Sequence, residues 1–419
     1  MSTLRAYSAL SLLRGALGGH RAWARAWRSP SLADAYDAVI IGGGGHGLAT
    51  AYYLARQHGL RNIAVVEKGW LGGGNTGRNT AVSRSNYFYP ESQRFYDHSL
   101  RLYEGLGREL NFNIMLSQLG MIGLASSRQE LETFRRWVTA MQLHPIDVEL
   151  LTREQIAAEV PLLDVSRRAR YPVVGGFRQR RAAISRHDAV AWAYARAADG
   201  LGVDIVQNCA VTGLEVSGGA IRRVRTTRGD IRTDRVGIAV AAHSADVAAM
   251  AGLRLPVQCQ TLQAMVTEPV KPCLDRIVLS PALQCYLSQS DRGEFVIGGA
   301  TDRYPSYGQR GSLCATERVL AAVVELFPRL APLRLMRQWG GTVDLSPDTS
   351  PIVSKTPVAG LYLSSGWGTG GYKAIPAGGE TFAYTIAEDR PHALVEPFGL
   401  DRFATGRLID EGAAAGVAH

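Results

Sequence analysis

With 419 residues, the chain is too long to fold around one compact core, and two domains are expected. Its content of 46% hydrophobic and 20% charged residues is ordinary for a globular protein, and no apolar run approaches the about 20 residues that span a bilayer. The net charge of +9 is diffuse beyond the arginine-rich first 28 residues, so nucleic acid is not an expected partner. The five cysteines form no C-x-x-C pair, which disfavours a zinc site and a disulfide framework.

The first 33 residues contain five arginines and several serines but no acidic residue. This composition is typical of a mitochondrial transit peptide, and also of a flexible arm that lies on a partner or on the protein's own surface. Composition alone does not decide between these two interpretations of residues 1–35.

The stretch from Asp37 to Glu67 has the order strand, glycine-rich turn, helix, strand. The short apolar run 39–41 predicts a buried parallel strand, and it leads into a G-x-G-x-x-G pattern. In this pattern the first glycine permits a tight turn, the second lets backbone N–H groups approach a pyrophosphate, and the third lets the next helix pack on the strand. The alternative is a loop that only turns the chain. The candidate cofactor-binding glycines are Gly42, Gly44, Gly45 and Gly47.

Glu67 closes the second predicted strand, twenty residues after Gly47. At this position of a dinucleotide fold, a carboxylate accepts hydrogen bonds from the adenosine ribose and disfavours the 2′-phosphate of NADP. A loop that merely turned the chain would leave Glu67 unexplained. The sequence therefore predicts a dinucleotide site that begins at the glycine turn and ends at Glu67.

A second glycine cluster follows in residues 68–80. Its small residues and amides could wrap a diphosphate and the edge of an isoalloxazine ring, although a plain surface loop remains an alternative. Arg84 comes directly after it in the segment V-S-R-S-N-Y. The candidate cofactor contacts in this loop are Asn75, Thr76, Arg78 and Asn79.

Residues 92–180 mix helical periodicity with short strand candidates, as does a later stretch from 256 to 335. Strand-like segments at 202–211 and 234–242 bring the chain back to the first sheet, and Val211 is a candidate cofactor contact. The predicted architecture is α/β, with a discontinuous Rossmann-type domain and a mixed-sheet α+β substrate domain. The first comprises residues 36–91, 181–255 and 336–395, the second 92–180 and 256–335, and a tail follows over 396–419.

The segment R-H-D-A-V-A-W predicts the start of a helix, with Ser185 as N-cap and Asp188 completing a capping box. On position alone, His187 is a surface or capping histidine.

A third glycine turn follows a predicted strand late in the chain. It is expected if the chain returns to a flavin and presents amides to it, with a lysine beside the ring as an anion ligand. The candidate residues are Gly366, Gly368, Gly371 and Lys373.

Together these motifs resemble the D-amino-acid oxidase and glycine oxidase superfamily of flavoproteins, and most closely the beta subunits of heterotetrameric sarcosine oxidases. The resemblance extends from Tyr36 to His419. Its most specific stretches are IGGGGHGLATAYYLA, VVEKGWLGGGNTGRNT, RHDAVAWAYAR, YGQRGS, SGWGTGGYK and the tail GRLIDEGAAAGVAH.

The resemblance implies a D-amino-acid oxidase-like fold with noncovalent FAD in the Rossmann-type domain. It also implies FMN attached covalently to His187, at the boundary with an alpha subunit that carries NAD and handles tetrahydrofolate. Gamma and delta subunits complete the implied heterotetramer. Monomeric relatives attach FAD to a cysteine shortly before the last glycine turn, but residues 340–351 contain none.

In this family the positions of Arg84 and Lys373 hold the carboxylate of an amino acid over the flavin. The implied reaction is oxidation of the N-methyl group of sarcosine, bound with its amine deprotonated, to glycine and either formaldehyde or methylenetetrahydrofolate. Electrons would pass from FAD to FMN and on to O2, giving H2O2. The implied location is the bacterial cytoplasm. Because members of this family carry a variable N-terminal arm, we predict that residues 1–35 form such an arm; a transit peptide would instead imply a mitochondrial location.

The segment 344–349 departs from the pattern of sarcosine enzymes, which leaves room for a related N-alkyl amino acid. One alternative is a dehydrogenase that uses another electron acceptor with dimethylglycine, proline or an opine. The other alternative is a scaffold that binds flavin but has lost its active site. The presence of both Arg84 and Lys373 argues against such a loss.

Overall fold

The computed structural model describes residues 8–21, 25–302 and 304–410. Parts of the predicted arm (residues 1–7 and 22–24) and of the predicted tail (411–419) lie outside the described residues. The helices are α1 Ala9–Leu17, α2 Gly45–Gln57, α3 Pro90–Glu109, α4 Arg128–Gln142, α5 Arg153–Glu159, α6 His187–Gly200, α7 Ser244–Ala249, α8 Leu313–Leu326, α9 Ile375–Glu388 and α10 Arg402–Thr405.

The strands alternate with these helices in the first part of the chain and cluster in its middle. They are β1 Ala38–Ile41, β2 Ile63–Val66, β3 Val82–Ser83, β4 Met121–Ala125, β5 Val148–Leu151, β6 Gly175–Gln179, β7 Ala183–Ile184, β8 Asp204–Val206, β9 Val211–Ser217, β10 Ala220–Thr226, β11 Gly229–Arg232, β12 Val236–Ile238, β13 Gln258–Pro269, β14 Ile277–Ser280, β15 Cys285–Gln289, β16 Glu294–Thr301, β17 Leu335–Leu345, β18 Ile352–Lys355 and β19 Leu361–Ser365.

The first large sheet has the strand order β18-β19-β12-β1-β2-β8, and all of its pairs are parallel except β18 with β19. Its strands come from three separate stretches of the chain, 38–66, 204–238 and 352–365. β1 and β2 are buried along their whole length because layers cover both faces of the sheet. Ile40 packs in the core with α2, α6 and α9, whereas Val39 packs in the core beneath the small sheet β11-β10-β9.

The second large sheet has the order β17-β13-β16-β15-β14-β4-β6-β5. It is mixed, since β4 pairs with β14 in parallel and the other neighbours are antiparallel. α8 packs on this sheet through Val319, Val323 and Leu326. A discontinuous Rossmann-type domain and a mixed-sheet α+β domain are thus both present, as the sequence predicted.

The segment after α1 lies against α6 and against β8, the edge strand of the first large sheet. The guanidinium of Arg28 forms ion pairs with Asp199 at 2.9 Å and Asp204 at 3.4 Å, and Trp27 packs against the core. α1 itself buries no residue. Within the described residues, no helix has both the length and the apolar character needed to cross a membrane.

Candidate active site

A cavity of about 490 Å³ lies between the two large sheets. On one side, residues at the carboxyl ends of parallel strands line it: Ile41 at the end of β1, Val66 at the end of β2, and Ala239 directly after β12. Open α/β sheets bind ligands at this edge. On the other side it is lined by residues of β13, β14, β15 and β17, including Gln263, Leu279, Tyr286 and Asp344.

The first glycine turn leaves β1 by a conformation that requires glycine. Gly42 has φ +112°, and a Cβ there would lie 2.3 Å from the carbonyl oxygen of Ala239. A Cβ on Gly47 would lie 1.9 Å from the carbonyl oxygen of Gly42, so this glycine lets α2 pack against the turn. Gly42, Gly44 and Gly45 line the cavity, whereas Gly47 lies behind it.

Glu67 lines the cavity at the end of β2. Its two carboxylate oxygens each accept one backbone N–H, from Gly43 and from Gly69, both at 2.8 Å. These bonds fix the carboxylate, and each oxygen keeps a lone pair for a further donor such as a ribose hydroxyl.

The second glycine loop forms a 3₁₀ helix, Asn75–Arg78, and its four candidate residues all line the cavity. The Asn75 side-chain amide donates to the Thr342 carbonyl in β17, and the Arg78 carbonyl accepts from the indole N–H of Trp339 at 2.6 Å. Thr76 accepts the N–H of Gly45 at 2.9 Å, which ties this loop to the first turn. Asn79 holds the loop by donating to the Thr76 carbonyl at 2.5 Å.

The third glycine turn places Gly368, Gly371 and Lys373 on the cavity wall, and Val211 lines the cavity as well. Gly366 does not. Its φ is +68°, and its N–H donates to the carboxylate of Asp344 at 2.6 Å.

Arg84 and Lys373 lie on the cavity wall, although only 7% and 6% of their surfaces are exposed. Arg84 donates to the side-chain oxygen of Asn86 at 3.0 Å, and the Lys373 ammonium donates to the carbonyl of Thr369 at 2.9 Å. Burial, and then the charge of Arg84, hold the pKa of Lys373 well below its usual value. Neither cation forms an ion pair with a carboxylate of the residues described. Two adjacent buried cations without a counterion are suited to bind an anion.

Sequence reasoning did not single out two titratable residues that also line the cavity, His46 and Asp344. Burial raises the pKa of Asp344 to about 6 and lowers that of His46 to about 4. His46 occupies a variable position of the glycine motif. Asp344 begins the segment 344–349, which the sequence marked only as a departure from the pattern of sarcosine enzymes and not as a titratable site. Only the tertiary structure brings these side chains to the cavity.

His187 begins α6, is half-buried and lies outside the cavity lining. Burial lowers the pKa of its imidazole. The predicted capping box is wrong, because Arg186 is the N-cap and makes no side-chain cap. The Ser185 hydroxyl instead bonds the Tyr372 hydroxyl at 2.6 Å, and Tyr372 is a cavity residue.

The cavity fits an FAD molecule in the chemistry of its lining. Its lining includes the carboxylate of Glu67, residues of three glycine turns, and the buried cations Arg84 and Lys373. Gly42, Gly44 and Gly45 line the cavity at the start of α2, and a helix N-terminus of this kind is suited to bind a diphosphate.

The comparisons agree with this assignment. The model of the FAD dependent oxidoreductase family matches residues 37–385. Sarcosine oxidase subunit beta of Rhodobacter capsulatus is 47% identical over 99% of this chain and 100% of its own, and that of an Arthrobacter species is 49% identical over 94% and 97%. The crystal structure of L-proline dehydrogenase from P. horikoshii superposes with a TM-score of 0.84 at 26% identity, covering 90% of this chain and 100% of that one.

Near-complete coverage at almost half identity is far beyond what a shared fold alone produces, and the relatives' name marks each as one subunit of a larger enzyme. The chain belongs to the FAD dependent oxidoreductase family and, within it, to the group of sarcosine oxidase beta subunits.

Proposed function

We propose that this chain is the subunit that oxidises the N-methyl group of sarcosine, with Arg84 and Lys373 as the anchor of the substrate carboxylate. The observation that carries the proposal is the pair of buried cations on the cavity wall, which have no carboxylate partner within the described chain. A small amino acid supplies that carboxylate, and its amine and methyl group then extend into the cavity.

The two cations also act on the substrate amine. Positive charge close to an amine disfavours its protonated form, so the nitrogen keeps the lone pair that drives oxidation of the adjacent carbon. The guanidinium of Arg84 suits bidentate binding of a carboxylate, and the Lys373 ammonium adds a directed charge. Fixing the carboxylate at two points restricts the orientations of the methyl group, which lowers the entropic part of the barrier.

When bound, FAD and a covalent FMN would supply the acceptance of two electrons from the substrate and their transfer to O2 as H2O2. In the overall reaction, sarcosine, O2 and water give glycine, formaldehyde and H2O2. With tetrahydrofolate on a partner subunit, the one-carbon unit leaves as methylenetetrahydrofolate.

Substitution of Lys373 by alanine tests the substrate site. We expect the dissociation constant of sarcosine to rise by one to two orders of magnitude, because a charged hydrogen bond is worth roughly 1.5–3 kcal/mol. The measurement is sarcosine binding under anaerobic conditions, followed through the flavin absorption spectrum.

Lys271→Ala is the control, because this lysine is exposed and remote from the cavity lining. An unchanged constant in Lys373→Ala would remove the lysine from the substrate site.

Covalent attachment of FMN at His187 is part of the proposal. Three observations support it. β7 pairs with β3, which places the start of α6 beside the strand that leads to Arg84. The Ser185–Tyr372 hydrogen bond joins the same segment to the cavity wall. The lowered pKa of His187 favours the neutral imidazole, which is the nucleophile that such an attachment needs. Partner alpha, gamma and delta subunits, with NAD and tetrahydrofolate on alpha, complete the proposed cytoplasmic heterotetramer.

His187→Ala tests the attachment. We expect FMN to be extracted by acid from this variant and to stay on the denatured chain in the half-exposed control His144→Ala. Mass spectrometry of the beta-chain peptides measures the adduct directly. FMN that remains covalently bound in His187→Ala would place the attachment elsewhere.

A second candidate is a dehydrogenase of another secondary amino acid with a different electron acceptor. It is favoured by the TM-score of 0.84 with an L-proline dehydrogenase. Turnover of sarcosine, dimethylglycine and proline, each with O2 and with an artificial acceptor, separates the two. A preference for proline and a failure to reduce O2 would favour the second candidate.

A further inference from the structure

The turn that carries Lys373 is held in place by hydrogen bonds from side chains to its backbone carbonyl oxygens. Residues 368–374 form two short 3₁₀ turns, so the regular bonds of an α-helix are absent here. Side chains of α3 take over part of that role: the Tyr103 hydroxyl donates to the Tyr372 carbonyl, and the Ser99 hydroxyl donates to the Lys373 carbonyl, both at 2.7 Å. The backbone of Lys373 is therefore fixed from one side by α3.

His46 holds the same turn from the other side. Its Nε2 lies 2.8 Å from the Gly371 carbonyl oxygen, two residues before Lys373. A carbonyl oxygen only accepts, so Nε2 carries the proton and donates. Nδ1 has no hydrogen-bond partner in the part of the chain that is described. With burial lowering the pKa of His46 to about 4, the imidazole stays in this neutral form over the physiological range.

The surroundings of His46 leave its ring little freedom. The ring stacks on Trp367 with centroids 4.4 Å apart, and Trp367 is fixed by its indole N–H, which donates to Ser364 at 3.1 Å. A Cβ on Gly378 would lie 2.8 Å from Nδ1, so a glycine in the first part of α9 makes room for the ring. The imidazole, at the start of α2, is therefore packed between Trp367 and the first part of α9.

His46 also belongs to the first glycine turn. It follows Gly45, whose N–H bonds Thr76 of the second glycine loop at 2.9 Å, and Gly45 itself lines the cavity. One side chain thus connects the turn suited to the cofactor diphosphate with the turn that carries the cation of the substrate site.

We infer that His46 is a positioning residue, whose hydrogen bond to Gly371 sets the place of Lys373 relative to Arg84 and so joins the cofactor turn to the carboxylate anchor. The inference rests on the proposed substrate site. It predicts that loss of the Nε2 donor weakens carboxylate binding while FAD stays bound, because the glycine backbone that faces the cofactor is unchanged.

His46→Leu removes the donor with a side chain of similar size, and His46→Gln keeps a donor at nearly the same distance from the backbone. Both are prepared as holoenzyme with the partner subunits, and acetate is the probe, since it has the carboxylate without the oxidisable amine. In His46→Leu we expect the acetate dissociation constant and the sarcosine KM to rise about tenfold, with the FAD content unchanged. In His46→Gln we expect both to stay within about threefold of wild type.

Acetate binding by His46→Leu at wild-type affinity would overturn the inference. An equal loss of acetate affinity in His46→Leu and His46→Gln would also overturn the inference. Packing of the imidazole ring, and not its hydrogen-bond donor, would then determine acetate binding. If His46→Leu does not fold, His46→Asn takes its place, since its shorter amide cannot reach Gly371. A wild-type holoenzyme that does not bind acetate would instead overturn the substrate site itself.

Discussion

At the scale of single residues, the proposed role of Lys373 predicts that the affinity for the substrate carboxylate depends on pH. Burial and the neighbouring Arg84 charge lower the pKa of this lysine well below its usual value. Only the protonated lysine attracts a carboxylate. Affinity for acetate is therefore full below the pKa of Lys373 and falls as the pH rises through it, whereas a bound carboxylate raises that pKa.

The measurement is the acetate dissociation constant of the holoenzyme between about pH 6 and pH 10, the range above the pKa of acetate itself. Lys373→Arg is the matched variant, because a guanidinium keeps its charge over this range. We expect the fall in affinity to disappear in Lys373→Arg. An equal slope in both proteins would assign the titration to another group.

At the scale of elements, Gly47 decides whether α2 can pack against the first glycine turn. A Cβ at this position would lie 1.9 Å from the Gly42 carbonyl oxygen, so Gly47→Ala must displace the backbone of the turn. We expect a loss of roughly 1–3 kcal/mol in stability and release of FAD on gel filtration. The control is Gly105→Ala, at an exposed position in the last third of α3, where an added Cβ meets nothing within 4 Å.

Gly105→Ala should be neutral or stabilise the protein by about 0.5–1 kcal/mol, because alanine is the better helix former. The measurements are the thermal unfolding and the flavin content of Gly47→Ala and Gly105→Ala. Retention of FAD and wild-type stability in Gly47→Ala would contradict the packing role of this glycine.

The elements predicted from sequence were those whose signal is local. β1, the glycine turn, α2 and β2 follow one another within 31 residues, so apolar runs and glycine spacing specify them without distant contacts. The cap of α6 could not be predicted in this way. The Ser185 hydroxyl forms a hydrogen bond with the hydroxyl of Tyr372, 187 positions away, instead of capping α6. His46 is similar, since its acceptor Gly371 is 325 positions distant.

At the scale of the whole molecule, the site depends on late segments of the chain that return to the first sheet. β17 belongs to the second sheet, yet Asp344 near its end accepts the N–H of Gly366 in the third glycine turn. Near the end of the described chain, the N–H of Ile409 donates to the carboxylate of Asp348 at 3.1 Å. The tail therefore stabilises the segment that joins the two sheets at the cavity.

The buried ion pair between Arg402 and Asp348 anchors this tail. The two side chains are 2% and 1% exposed and form two hydrogen bonds, of 2.8 and 2.9 Å. Burial opposes ionisation of Asp348, but Arg402 outweighs it and lowers the pKa of the carboxyl group. Arg402→Met leaves that charge unpaired and should cost about 3–5 kcal/mol in urea unfolding, whereas Arg407→Ala, which breaks an exposed pair with Asp401, should cost about 0–1 kcal/mol. Equal losses in the two variants would show that the tail is held by its apolar contacts and not by this pair.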